Sequence, residues 1–156
     1  MTKITKTDNN ITILNSDNKK VVFEENSQSV FLDDMNVSFP WEYEKWWILL
    51  EVKEEEKKLF YNFLIDSKRF VIVNDYFEIT EKIIAFFGNI DVLIIKWTKD
   101  TSKLIENIDA KLVIPYWEWK DIFLNNLWQK IEKTDIFKVK WELNGEITEF
   151  VNLDYE

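Results

Sequence analysis

Hydrophobic positions alternate over short runs in the first third of this chain and gather into longer blocks beyond it. Thr2–Lys6, Ile11–Leu14 and Val21–Glu24 are alternating or β-branched runs separated by Asp-Asn and Ser-Asp-Asn turn signals, the pattern of short strands in hairpins. Val30–Leu32, Val37–Phe39 and Trp46–Val52 continue the pattern, with turns expected at Asp33-Asp34 and Pro40. From Glu54 the period changes. Leu59, Phe60, Phe63 and Leu64 recur at helical spacing behind Glu54-Glu55-Glu56, which predicts a helix over Glu54–Ile65 with a solvated, acidic first turn.

Strand and helix then take turns. Arg69–Val73 reads as a strand, and Asp75 with Glu78 three residues on resembles a capping box opening a helix that Gly88 closes. Ile90–Trp97 predicts a strand, Thr101–Ile108 a short helix, Lys111–Ile114 a strand and Tyr116–Lys133 a longer helix. Phe137–Leu143 and Glu146–Val151 flank Asn144-Gly145, a strong hairpin signal. The alternation over residues 69–133 favours parallel strands joined by crossovers. The fold expected is α/β (or α+β): a mixed sheet extended by N-terminal antiparallel hairpins and a C-terminal β-hairpin, with helices on its faces. No repeat, linker or composition break divides the chain, so residues 1–156 read as one globular domain.

Composition narrows the chemistry. The chain has no cysteine and no histidine, which removes disulfides, thiolate nucleophiles, Ser-His-Asp triads and the usual zinc and iron centres. Carboxylate and lysine chemistry and oxygen-ligated Mg²⁺ or Ca²⁺ remain open. No apolar run approaches the roughly 18–20 residues that span a bilayer. The first ten residues lack the apolar stretch of a secretion signal, and a cytoplasmic place is expected. The formal charge of −9, from 29 acids against 20 bases, repels nucleic acid and attracts basic proteins; it also serves solubility. Arg69 is the only arginine, and the wealth of Ile, Asn, Lys and Phe points to an AT-rich coding sequence of a bacterium or phage.

Two aromatic clusters stand out. On the helix expected after Pro115, Trp119, Phe123, Leu127 and Ile131 form one apolar stripe, and Trp117, Leu124 and Trp128 a second, about 100° round, with Glu118 and Asp121 nearby. Two stripes mean burial on both sides or an exposed patch edged by acids, the profile of a recognition surface. In the second cluster, Trp41, Glu42, Tyr43 and Glu44 alternate, so that Trp41 and Tyr43 share one side of an extended chain and the two glutamates the other. Core packing is the plainer reading of both. Eight tryptophans are nonetheless many for a core of this size, since a buried indole N–H needs a partner.

One constellation has enzymatic potential. Ile48-Leu49-Leu50-Glu51-Val52-Lys53 is an apolar strand ending in Glu-x-Lys, preceded by Asp33-Asp34. Over about residues 29–73 this resembles the core of the PD-(D/E)xK nuclease superfamily. The resemblance implies that Asp34 and Glu51 hold Mg²⁺ while Lys53 positions or activates water.

Three functions follow in order. The first is a cofactor-free inhibitor that binds a basic protein, with a charge, size and missing catalytic residues similar in type to those of bacterial immunity proteins that neutralise a toxin, often a nuclease. Its expected contacts are Trp41, Glu42, Tyr43, Glu44, Trp117, Glu118, Asp121, Leu124 and Trp128, with neither nucleic acid nor membrane as a direct partner. The second is the Mg²⁺-dependent nuclease, and the third a phage-encoded DNA mimic.

Overall fold

The computed structural model describes residues 1–117, 120–125, 131–143 and 146–154. In chain order its first strands are β1 (Lys3–Thr7), β2 (Asn10–Leu14), β3 (Lys20–Glu24), β4 (Ser29–Leu32) and β5 (Met35–Val37). Then come β6 (Glu42–Lys45), β7 (Ile48–Glu55), β8 (Lys58–Ile65), β9 (Lys68–Val73), helix α1 (Glu81–Phe87) and β10 (Ile90–Lys96). A 3₁₀ turn (Thr101–Leu104), β11 (Ala110–Tyr116) and α2 (Lys120–Asn125) follow. The chain closes with β12 (Lys133–Thr134), β13 (Ile136–Lys138), β14 (Glu149–Phe150) and β15 (Asn152–Leu153).

The architecture is mixed α/β and rich in strands. The N-terminal hairpins form a sheet of their own in the order β13-β1-β2-β3-β4-β5, in which every pair is antiparallel. A second sheet runs β14-β11-β10-β9-β8-β7-β6. Within it β9, β10, β11 and β14 are parallel and β6 to β9 antiparallel, so the expected strand–helix alternation is present.

Alternation decides what each face buries. Ile4, Ile11, Ile13, Val21 and Phe23 of the first sheet meet Leu50, Phe63, Phe70, Ile72, Val92 and Ile114 of the second, making one core between the sheets. The opposite face of β8–β11 carries Phe60, Val71, Val73, Leu93 and Val113, which Ile83 and Phe87 of α1, Phe77 and Leu104 cover. Strands buried on both faces read as continuous apolar runs. Phe60, Phe77 and Phe87 pack edge-to-face with centroids 5.0–6.0 Å apart. Gly88 ends α1 at φ +61, a conformation that favours glycine, and the Arg69 guanidinium occupies the space beside its Cα.

Four expectations need correction. No helix occupies residues 54–65. That segment is the β7–β8 hairpin, and its apparent helical spacing came from a central strand with both faces buried. Helix α1 is capped by Thr80, whose Oγ1 accepts from the N–H of Ile83 at 3.3 Å, rather than by Asp75. The long helix expected from Tyr116 is interrupted at its start: Tyr116 ends β11 and α2 covers Lys120–Asn125. The C-terminal strands form, but β13 pairs with β1 and β14 with β11, in different sheets, so they do not pair with one another. The Asn144-Gly145 turn lies outside the described residues. Among the described residues no helix is long and apolar enough to cross a membrane.

Tyr116 supplies a test of the inter-sheet core. Its ring packs edge-on against Phe23 at 5.4 Å, and its hydroxyl is buried without a hydrogen-bond partner. Burial, reinforced by the charges of Glu25 and Asp75, pushes its pKa far above the ordinary 10.0. A folded-state pKa above the unfolded one contributes stability that is present below pH 10 and lost as pH rises beyond it. Tyr116→Phe is expected to raise stability by about 1 kcal/mol at neutral pH by removing the unpaired hydroxyl. Its advantage over the parent should grow by about 1.4 kcal/mol per pH unit above pH 10. Urea unfolding at pH 7 and 11 measures both; an advantage that does not grow would place the hydroxyl in water.

Candidate functional site

The helical layer stops short of one edge of the second sheet. On the outer face of the β6–β7 hairpin, Leu49 and Leu64 are exposed where α1 does not reach. The strand registers align Glu42 with Glu51 and Asn62, and Glu44 with Leu49, Leu64 and Arg69. These residues line a groove of about 400 Å³.

Two features of this face are costly to the free protein. Glu42 and Glu51 sit directly across the β6–β7 ladder from one another, and like charges so placed repel. Among the described residues, none of Glu42, Glu44 and Glu51 is within ion-pair distance of a cation, although Arg69 lines the same groove. The second feature is the display of large aromatics around the same hairpin: Phe39 and Trp41 are 74% and 72% exposed, and Trp47 is 82% exposed.

The turn carrying Trp47 is strained as well. Lys45 pairs with Ile48, so Trp46 and Trp47 form a two-residue turn, with φ of 55° and 64°. Type I′ hairpin turns demand positive φ at both positions and favour Asn-Gly, and bulky residues pay for the conformation. Trp46 is clamped there. Its Nε1 donates to Asp33 at 3.2 Å, Lys19 Nζ lies 4.1 Å from its ring centroid, and its carbonyl accepts from Asn15 Nδ2 at 3.1 Å. Among the described residues Trp47 has no such support. Trp47→Gly is expected to raise stability by about 1 kcal/mol through relief of this strain. A fall in the thermal midpoint would show that the exposed indole stabilises the free protein.

The structure sorts the residues expected to bind a partner. Trp41, Glu42 and Glu44 are exposed at the sheet edge. Tyr43 is half-buried: it packs against the inter-sheet core, donates from its hydroxyl to the carbonyl of Phe39 at 3.0 Å, and also lines the groove. Leu124 is buried, being only 3% exposed. Trp117, with a φ of 90°, packs on the same core under Lys96, whose Nζ lies 4.2 Å from the ring centroid. Asp121 is half-buried, and Glu118 and Trp128 lie outside the described residues. Near α2, Lys120 is buried, donates to the carbonyl of Leu153 at 2.7 Å and lies 3.6 Å from Asp154; burial lowers its pKa. This region ties the C-terminal segment to the core.

The two aromatic clusters therefore do not merge. β11 and β6 are separated by five strand spacings, or about 24 Å. Leu49, Leu64 and Trp47 are surface residues that the sequence pattern does not mark as such. Leu49 and Leu64 sit inside apolar runs that read as fully buried, and the Trp46-Trp47 turn carries no Gly, Asn or Asp signal.

The nuclease constellation is not assembled. Glu51 and Lys53 project from the outer face of β7, whereas Asp34 pairs at 3.0 Å with Lys45 on the inward-facing side of β6. That hydrogen bond lowers the pKa of Asp34 and raises that of Lys45. Lys53 Nζ lies 3.8 Å from Glu55 and 5.8 Å from the Phe86 ring centroid.

No protein-family model matches this sequence, and no curated protein does. The fold has a solved counterpart. A Thermotoga maritima crystal structure, proposed to be a Zn-dependent hydrolase of the metallo-β-lactamase superfamily, superposes with a TM-score of 0.73, covering 98% of this chain and 99% of that one. The two share a fold. At 16% sequence identity the likeness extends no further than that.

Zinc does not fit the donors of this chain. Protein zinc sites draw on Cys, His, Asp and Glu, and the first two are absent here. Among the described residues no three carboxylates converge to hold a cation. Addition of Zn²⁺ or EDTA is expected to leave the thermal midpoint unchanged within about 1 °C, since only a ligand that binds the folded state shifts it. A rise of several degrees with stoichiometric Zn²⁺ would contradict this.

Proposed function

We propose that this chain is a cytoplasmic inhibitor that binds a basic protein, of the kind by which a bacterium neutralises a toxin, and that its contact surface is the outer face of the β6–β7 hairpin. The observation that carries the reading is the pairing of Glu42 with Glu51 across the ladder, with no cation of the described residues within ion-pair distance, on a face that also exposes Leu49 and Leu64. A lysine or arginine from a partner relieves that repulsion with its head group. Its aliphatic stem lies along the two leucines.

Each part of the face suits one stage of binding. A net charge of −9 speeds encounter with a basic surface. Aromatic anchors buried on contact slow dissociation. The zinc chemistry proposed for the fold counterpart is not carried over to this chain, which has neither histidine nor cysteine to hold the metal.

Co-expression with the protein encoded beside it on the chromosome tests the reading. The expected result is a stoichiometric complex with a basic protein whose toxicity is suppressed. A basic neighbour that stays unbound, or is bound while its toxicity persists, would contradict it.

A further inference from the structure

We infer that β6 is a docking strand: an extended basic segment of the partner adds to the second sheet as an eighth strand beside it. This rests on the proposed docking face and specifies how that face is used. β6 ends the order of the seven-stranded sheet, so one of its edges is unpaired. The carbonyl of Trp41 accepts from the N–H of Val52 at 2.9 Å, which turns the backbone of Trp41 toward β7. Alternation turns Tyr43 and Lys45 the same way and leaves the N–H and C=O groups of Glu42 and Glu44 directed outward.

The geometry selects the occupant. In an antiparallel ladder, the incoming residues that exchange hydrogen bonds with Glu42 and Glu44 place their side chains on the same face as those two carboxylates. Lysine or arginine at alternate positions therefore satisfies the ladder and the charges together. A second copy of this chain does not suit the edge, because two-fold pairing of β6 would set glutamates against glutamates. Edge strands are often blunted by charge to prevent pairing. Blunting does not account for Phe39, Trp41 and Trp47 exposed around the same hairpin, since these raise the apolar surface that blunting serves to hide.

The probe is an acetylated hexapeptide alternating lysine and valine, titrated at low ionic strength. The comparison peptide is N-methylated at its lysine backbone amides, which keeps every charge and removes the ladder donors. The parent peptide is expected to bind at least about tenfold more tightly than the methylated one, a difference of about 1.4 kcal/mol. It should also slow amide exchange at Glu42 and Glu44 by tenfold or more. In the protein, Glu44→Gln keeps the outward N–H and should weaken binding modestly, while Glu44→Pro removes it and should cost about tenfold more. Equal binding of the two peptides without protection of Glu42 and Glu44 would overturn strand addition and leave the acidic face as a side-chain contact. Failure of both peptides to bind would overturn the docking face itself.

Discussion

Glu51→Lys is expected to weaken binding of the basic partner by about 100-fold or more while leaving the free protein slightly more stable. The two effects have opposite signs for one reason. In the free chain Glu51 faces Glu42 across the ladder, and lysine there converts a repulsive cross-strand pair into an attractive one. Such a pair is worth about 0.2–1 kcal/mol. In the complex the same lysine meets a cationic surface, where juxtaposed like charges cost several kcal/mol, and each 1.4 kcal/mol is a factor of ten. Calorimetric titration with the partner and urea unfolding of the free variant measure the pair. Loss of both binding and stability would mean that Glu51 is structural. Loss of neither would remove it from the contact.

Phe63→Ala should have the largest effect on stability, at about 3–5 kcal/mol. Phe63 is fully buried between the sheets, stacked on Tyr61 with centroids 6.4 Å apart. Against a typical total of about 5–15 kcal/mol, that loss leaves the fold marginal. Leu64, the next residue along β8, faces the open groove, and Leu64→Ala should cost well under half as much. Urea denaturation separates them, and comparable costs would mean that the outer face is covered.

The contrast between Phe63 and Leu64 shows where the sequence was legible. Alternation in Ile11–Leu14 and Val21–Glu24 reports a sheet with one solvated face, and it located those strands to within a residue. β8 is buried on both faces along most of its length, so its alternation vanishes and Leu59, Phe60, Phe63 and Leu64 mimic a helix. The turns that would have exposed the error, Glu56-Lys57 and Asp66-Ser67, hold positive φ without glycine or asparagine. Local chemistry therefore did not announce the Glu56-Lys57 turn. The separation of the strands into two sheets depends on pairing between distant segments, such as β13 with β1, which no local pattern reports.

The candidate site was legible in part, for the same physical reason. Trp41, Glu42 and Glu44 alternate on an edge strand, and edge strands keep their pattern. Leu124 and Trp117 themselves pack into the core, where stripe and burial look alike in sequence. The groove joins residues from β6, β7, β8 and β9, and the sequence could supply its acids but not their convergence.

The most direct test of the docking face is to map, by amide chemical shifts in the ¹⁵N-labelled chain, the residues perturbed by the basic protein captured on co-expression. The largest changes are expected at Trp41, Glu42, Glu44, Leu49, Glu51 and Leu64, fading as salt is raised. Perturbations centred on α1 or on the Trp117 region, with β6 and β7 unmoved, would contradict it.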